Sequence, residues 1–358
     1  MSKYASLSSP DSDLCQWLDT KRYWKPAKSA SEYTHLSMDG HRGGKILIKE
    51  MDAETFLKKF AVSVMRNKSL YITESRTPVF RMFFDLDVQF VLPRTSFTDR
   101  ERGALCTVIL STMNLFYPQH KHGLDSSFTM VVCDFTQWLA QEGSVIGNTQ
   151  SEDDALTQLR ESLPNEDNPE REEYEDEDEE VDEGDHEGLP GEECDEEDED
   201  NGEEVAPEVS KNGNMHIHFP NLYVTAQNAA IMAKAVAVVL QEKVGKLSYV
   251  YNDWTDIMDP SVYISNGLRM LGSRKCKPCP ACRGSRCAAC SQVGKIDLGR
   301  VYRIREVYRH GALCPELLKV ITASVTNELV TCSIRAPPSR LATMGWSKPP
   351  LLPGVNVA

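Results

Sequence analysis

The period of hydrophobic and polar positions changes several times along the chain, and each change predicts an element. From Asp52 to Met65, Phe56, Phe60 and Val64 recur every four residues behind a capping aspartate, which predicts an amphipathic helix. Ser69–Thr73 and Val79–Val88 are rich in aromatic and β-branched residues and read as strands. Arg100–Phe116 returns to helical spacing, and Thr129–Cys133 is a short apolar run suited to a buried strand. Further on, His216–Val224 reads as a strand interrupted at Pro220. Ala226–Val244 reads as a long helix with an apolar stripe at Ile231, Ala235, Val238 and Val239. Gly299–Tyr308 alternates basic and apolar residues, which predicts a strand with a basic outer face. Helices and strands alternate on both sides of the middle of the chain, so the expected class is α+β (α/β).

The pattern fails between residues 152 and 207. From Glu152 to Glu204 there are 29 acidic and 2 basic side chains, and few large apolar groups. Such a segment cannot bury enough surface to offset its ordering entropy, and it reads as a disordered acidic insert. Two readings of it stay open: a solvated loop without a role, or a mimic of nucleic-acid charge that folds over a basic cleft. The whole chain of 358 residues carries a net charge of -15, but outside Glu152–Glu204 there are 25 acidic and 37 basic side chains, a net of +12. A basic body suits a polyphosphate ligand. No run of 18 apolar residues predicts a membrane span, and Met1–Trp17 does not read as a signal peptide.

Eleven cysteines are present, and five of them fall in Cys276-x2-Cys279-x2-Cys282-x4-Cys287-x2-Cys290. Clustering in paired spacing points to a metal site in a reducing, intracellular compartment. Cys279, Cys282, Cys287 and Cys290 form a symmetric set for a tetrahedral Zn²⁺, with Cys276 as an alternative ligand or a spare. An iron–sulfur cluster and metal-free thiols are the competing readings.

Three other segments carry chemistry. Arg81-Met-Phe-Phe-Asp85-Leu-Asp87-Val sets two carboxylates on one face of an apolar strand, where they repel unless a cation lies between them. Hard divalent ions take such oxygens, although a sheet edge with two exposed acids is the plainer reading. Lys211-Asn-Gly-Asn-Met-His216-Ile-His218-Phe-Pro puts two histidines on one strand face after a cation and a turn. Ile257-Met-Asp259-Pro-Ser-Val-Tyr263 is followed by Arg269, Arg274 and Lys275, an acid and then basic groups of the kind a metal-bound triphosphate needs. Gly-x-x-x-x-Gly-Lys-[Ser/Thr] is absent, so no P-loop motor is indicated.

In this order, the segments resemble the archaeo-eukaryotic primase superfamily, in the branch of eukaryotic primase-polymerases and the primases of herpesviruses and nucleocytoplasmic large DNA viruses. Phe84-Asp85-Leu86-Asp87 matches the family's acidic strand, and Asn214-Met215-His216 its Ser-x-His motif. Met258-Asp259, Val262-Tyr263, Arg269 and Lys275 match its third motif. The likeness spans roughly residues 35–310. Two departures stand out: Asn214 replaces the motif serine, and Lys211 precedes His216 by five residues instead of four.

The resemblance implies a primase catalytic core with an RRM-like module, divided as 1–151, an insert at 152–207, 208–275, a zinc knuckle at 276–295, and 296–358. It implies template-dependent nucleotidyl transfer with two Mg²⁺ or Mn²⁺ ions on Asp85, Asp87 and Asp259. His216, Arg269 and Lys275 would bind the triphosphate, with Arg81 as an accessory. From the residues themselves, Lys211 is a further phosphate-binding candidate, and Arg303 and Arg305 on the basic strand face are candidate contacts to the template backbone. Expected partners are a single-stranded DNA template, nucleoside triphosphates and a replicative helicase, at the nucleus or a cytoplasmic site of viral replication. A non-catalytic zinc-containing accessory subunit is the alternative. A metal-dependent nuclease fits less well, because it leaves the His216, Arg269 and Lys275 set without a purpose.

Overall fold

The structure is a computed structural model that describes residues 13–25, 32–39, 43–116, 129–137, 207–210, 213–258, 260–264, 267–285, 287–291 and 293–336. The acidic insert expected at 152–207 therefore falls outside the described residues, except for residue 207.

Helix α1 (Asp13–Thr20) precedes three short strands, β1 (Trp24–Lys25), β2 (His35–Ser37) and β3 (Gly44–Ile46). Next come α2 (Ala53–Met65), β4 (Ile72–Glu74), β5 (Val79–Leu86), β6 (Phe90–Val91), α3 (Asp99–Phe116) and β7 (Met130–Gln137). The second half holds β8 (Val209–Ser210), β9 (Met215–Thr225), α4 (Ala226–Lys243), α5 (Trp254–Ile257), β10 (Leu268–Arg269) and β11 (Arg274–Pro278). It ends with β12 (Lys295–Arg309), β13 (Ala312–Leu313), α6 (Pro315–Ile321) and α7 (Val325–Cys332). The main sheet runs β11-β12-β7-β9-β5, with β13 on β12, and every pairing is antiparallel. A smaller antiparallel sheet runs β1-β3-β2-β4-β10.

The main sheet is covered on both faces, which is why its central strands are apolar almost throughout. Along β7, Met130 and Val132 face one core and Val131 and Cys133 the other, as the strand period of two requires. In the first core, α3 and α4 lay Ile109, Met113, Met232, Val236 and Leu240 against Phe84, Val132 and Ile217. In the second, Leu14, Leu18, Phe56, Phe60 and Leu329 pack on Val131, Cys133, Tyr302 and Val307. Fully burying one such side chain is worth about 1.5–3 kcal/mol, so the two layers fix the sheet between them.

Arg102 on α3 is buried and reaches the interior strands β7 and β12. It pairs with Asp99, with Glu306 at 2.8 Å and with Asp134 at 3.6 Å, so its charge is compensated where water is excluded.

Four expectations shift. The expected strand Ser69–Thr73 is only Ile72–Glu74. The expected strand Val79–Val88 ends at Leu86, and Asp87 leaves it, its N–H donating to the Ile257 carbonyl at 3.0 Å. Pro220 does not interrupt β9. It lies beyond His218, the last residue paired with β7, and where the register to β5 slips between Arg81 and Phe83, so no ladder bond is forfeited. In α4 the buried stripe is Ala229, Met232, Ala233, Val236 and Leu240, and of the four predicted positions only Ala235 is buried. The helix is Ala- and Val-rich on nearly every side, so periodicity alone could not orient it.

No helix among the described residues is long and apolar enough to cross a membrane.

Candidate active site at the junction of the two sheets

The site begins where β5 ends. Asp85 is the cross-strand partner of His216 on β9, and His216 Nε2 lies 3.4 Å from Asp85 Oδ1. Asp87 follows two residues later and is exposed. Two groups anchor it: the Asn214 side-chain amide donates to Asp87 Oδ1, and the Asn252 amide donates to its carbonyl at 2.8 Å. Asp259 and Lys211 lie outside the described residues. Met258, the neighbour of Asp259, makes an antiparallel bridge to Leu86, between the two aspartates.

The basic groups arrive from two sheets. Arg269 sits on β10 of the small sheet, paired with Thr73. Lys275 sits on β11 of the main sheet, where the register to β12 slips between Arg274 and Cys276. The slack lies on β12 at Leu298–Arg300, where Gly299 takes φ +66, a conformation that favours glycine. Arg274, next to Lys275, is turned to structure instead, bonding Asp297 at 2.8 Å and Asn67 at 2.8 Å.

Tyr302 on β12 joins these groups. Its ring stacks on His216 with centroids 3.5 Å apart, and the Arg269 guanidinium lies over it at 4.7 Å. Burial, and then the charges of Asp85 and Asp87, push its phenol far above the usual range, so it stays protonated. Burial first, then His218, Arg269 and Lys275, hold His216 well below the ordinary histidine value, so its ring is neutral at physiological pH. Asp85, Asp87 and Arg269 thus act on Tyr302, and Arg269 and Lys275 on His216, which sets the five groups in one locality. The donor set suits a hard divalent cation: two carboxylates side by side, one partly exposed, with cations beyond them.

Arg81 stands apart. Its guanidinium donates to the carbonyls of Val330 at 2.5 Å and Ser333 at 3.1 Å, at the C-terminal end of α7. It lines a cavity of about 520 Å³ with His35, Glu74 and Arg335, four residues back along β5 from Asp85. Its observed work is to hold α7 on the sheet. Arg81→Met is expected to lower stability by about 1.5–3 kcal/mol, the worth of hydrogen bonds to a charged group, and to leave nucleotide affinity unchanged. Denaturant melts and nucleotide titration of the same variant check this, and a weakened nucleotide affinity would return Arg81 to the site.

In the cysteine cluster, the Sγ atoms of Cys279, Cys282, Cys287 and Cys290 all lie within 4.8 Å of one another. The Cys279–Cys287, Cys282–Cys290 and Cys287–Cys290 separations are 3.9, 3.8 and 3.7 Å. Four thiolates about 2.3 Å from a tetrahedral zinc stand about 3.8 Å apart, so the cage has the right size. Burial would raise the Cys290 thiol, but the N–H groups of Cys287 and Gly294 bond its sulfur and bring it down to about 6, favouring the thiolate that binds metal. Gly294 has φ +76, and a Cβ there would meet the Gly284 carbonyl oxygen at 2.5 Å, so only glycine lets the two loops close. Cys276 is outside the cage. It lies on β11 with its thiol 3.6 Å from the Met38 carbonyl.

The chain matches the family model described as the C962R protein N-terminal AEP domain over residues 34–146 and 198–282, more than half its length. It belongs to this archaeo-eukaryotic primase family. A search of curated proteins finds no match to it.

The AEP match skips 147–197, most of the acidic stretch, and ends at Cys282, so it takes in half of the cysteine cage. Asp85, Asp87, His216, Arg269 and Lys275 all lie inside the matched segments. Sequence reasoning missed Tyr302, which lies beyond the match and looks like one more apolar residue of an alternating strand. The AEP chain also uses Arg303 differently from the expectation of template contact: it pairs with Glu328 of α7 at 3.7 Å. Arg305 is more exposed and lies 3.7 Å from Asp99.

Proposed function

We propose that this AEP chain is a primase or primase-polymerase that joins nucleotides on a single-stranded DNA template. What supports the reading is one observation: the family's acidic pair stands beside a neutral histidine and two cations, gathered around one buried tyrosine. Asp85 and Asp87, with Asp259, would hold Mg²⁺ or Mn²⁺. Those ions supply activation of the attacking 3′-hydroxyl and neutralisation of the leaving pyrophosphate.

The chain's own groups do the rest. Arg269 and Lys275 bind triphosphate oxygens, Arg269 with a planar fork and Lys275 as a point charge. His216, fixed by the Tyr302 stack and neutral, donates one N–H without adding charge. Asn214 and Asn252 hold Asp87 in position, so the carboxylates are oriented before the nucleotide arrives.

In this reading, 1–151, 208–275 and 296–358 form one catalytic core with an RRM-like part, interrupted by an acidic insert at 152–207. The cysteine cage at 276–295 is a zinc knuckle that steadies the Lys275 strand. A replicative helicase is the expected partner.

The test is a template-dependent synthesis assay on the full chain, with Mg²⁺ or Mn²⁺ and each class of nucleotide supplied in turn. Labelled products whose length and sequence follow the template are expected. Tight binding of single-stranded DNA with no product under any combination would refute the reading and favour an accessory subunit.

A further inference from the structure

We infer a second zinc site, in the second core against β7 and β9, formed by Cys133, His218 and Cys332. These residues come from β7, β9 and the end of α7, and all three are buried. Their ligand atoms lie within 4.8 Å of one another. The two sulfurs are 3.9 Å apart, close to the edge of about 3.8 Å that two thiolates take on one tetrahedral zinc.

His218 Nε2 is the telling atom. It is buried and has no hydrogen-bond partner among the described residues. A buried polar atom left unbonded costs about 1–3 kcal/mol, and a metal bond removes that cost. The ligand set also decides the ion. Two thiolates, a neutral imidazole and a dication sum to zero charge, which a closed apolar core accepts; a monovalent copper ion on the same set leaves a net negative charge there. Glu328 lies one turn before Cys332 on α7 and is the candidate for the fourth corner; Arg303, 3.7 Å from its carboxylate, balances the added negative charge. A disulfide explains the site less well. It needs the sulfurs at about 2.05 Å and leaves His218 Nε2 unbonded.

The site would do structural work for the active site next to it. Cys133 is the cross-strand partner of His216, and His218 is two residues from His216 on the same strand face. An ion here would clamp α7 to β7 and β9 on the same face as His216.

The test is metal analysis of the full chain and of Cys287→Ala/Cys290→Ala, which disables the cysteine cage. Two zinc ions per wild-type chain and one in that variant are expected, falling to none when Cys332→Ser is added. Zinc X-ray absorption of wild-type protein reads the same site without any substitution. An imidazole shell that disappears in His218→Ala supports the site. An all-sulfur shell in wild type, a zinc-free cage variant with wild-type circular dichroism, or a Cys133–Cys332 disulfide found by thiol counting would each overturn it.

Discussion

Asp85→Ala is expected to cut template-dependent synthesis at least about 1000-fold while leaving the fold intact. The size follows from what the carboxylate does in the proposed mechanism. Losing a ligand to catalytic metal removes several kcal/mol of transition-state charge stabilisation, and about 4 kcal/mol is three powers of ten in rate. The fold should survive because the Asp85 side chain keeps part of its surface in solvent, and His216 Nε2, 3.4 Å from it, belongs to a neutral ring. Removing one of two adjacent carboxylates also relieves their repulsion. Asp85→Asn, which keeps the shape, should lose as much activity. The check is primer synthesis and thermal unfolding on the same preparations, with binding of single-stranded DNA as a control. More than a tenth of wild-type activity in Asp85→Ala would remove that carboxylate from the catalytic role.

Breaking the cysteine cage should have the next largest effect, and on a different quantity. Cys287→Ala/Cys290→Ala is expected to lose one zinc per chain and to weaken nucleoside triphosphate binding about tenfold, or about 1.4 kcal/mol. Metal binding in isolated zinc fingers is worth roughly 10–16 kcal/mol, so a loop as poor in apolar groups as Cys279–Cys290 should not keep its shape without the ion. The damage then travels along β11. Pro278, Lys277 and Cys276 pair with Lys295, Ile296 and Asp297 between the cage and Lys275, and fraying from Cys279 reaches Lys275 within one short strand. Far-UV circular dichroism should change little, since the main core lies elsewhere. Nucleotide titration with metal analysis on the same sample is the measurement. Unchanged affinity after zinc loss would reduce the cage to a free-standing knuckle.

The parts that the sequence disclosed are those where one local period dominates. Phe56, Phe60 and Val64 announce α2 because a single stripe faces a single core. Helix α4 was found but turned the wrong way, because alanine and valine occupy most of its circumference. Pro220 misled because a bulge depends on the neighbouring strand, which local sequence does not contain. For the candidate site, Asp85, Asp87, His216, Arg269 and Lys275 stood out as short motifs, and the structure brings them together. Arg81 belonged to the same motif by position, yet the register slip beside it and the carbonyls of α7 give it another task. Tyr302 was silent, since nothing local marks one aromatic in a strand as the platform for a histidine 86 residues earlier and an arginine 33 residues earlier, each set in another strand.

Arg269 and Lys275 are six positions apart along the chain, yet one is anchored in the small sheet and the other in the main sheet. An anion gripped by both is therefore also a rivet between two layers. In the proposed function, filling the pocket and stiffening the joint become a single event, and whatever pries the layers apart would expel the nucleotide.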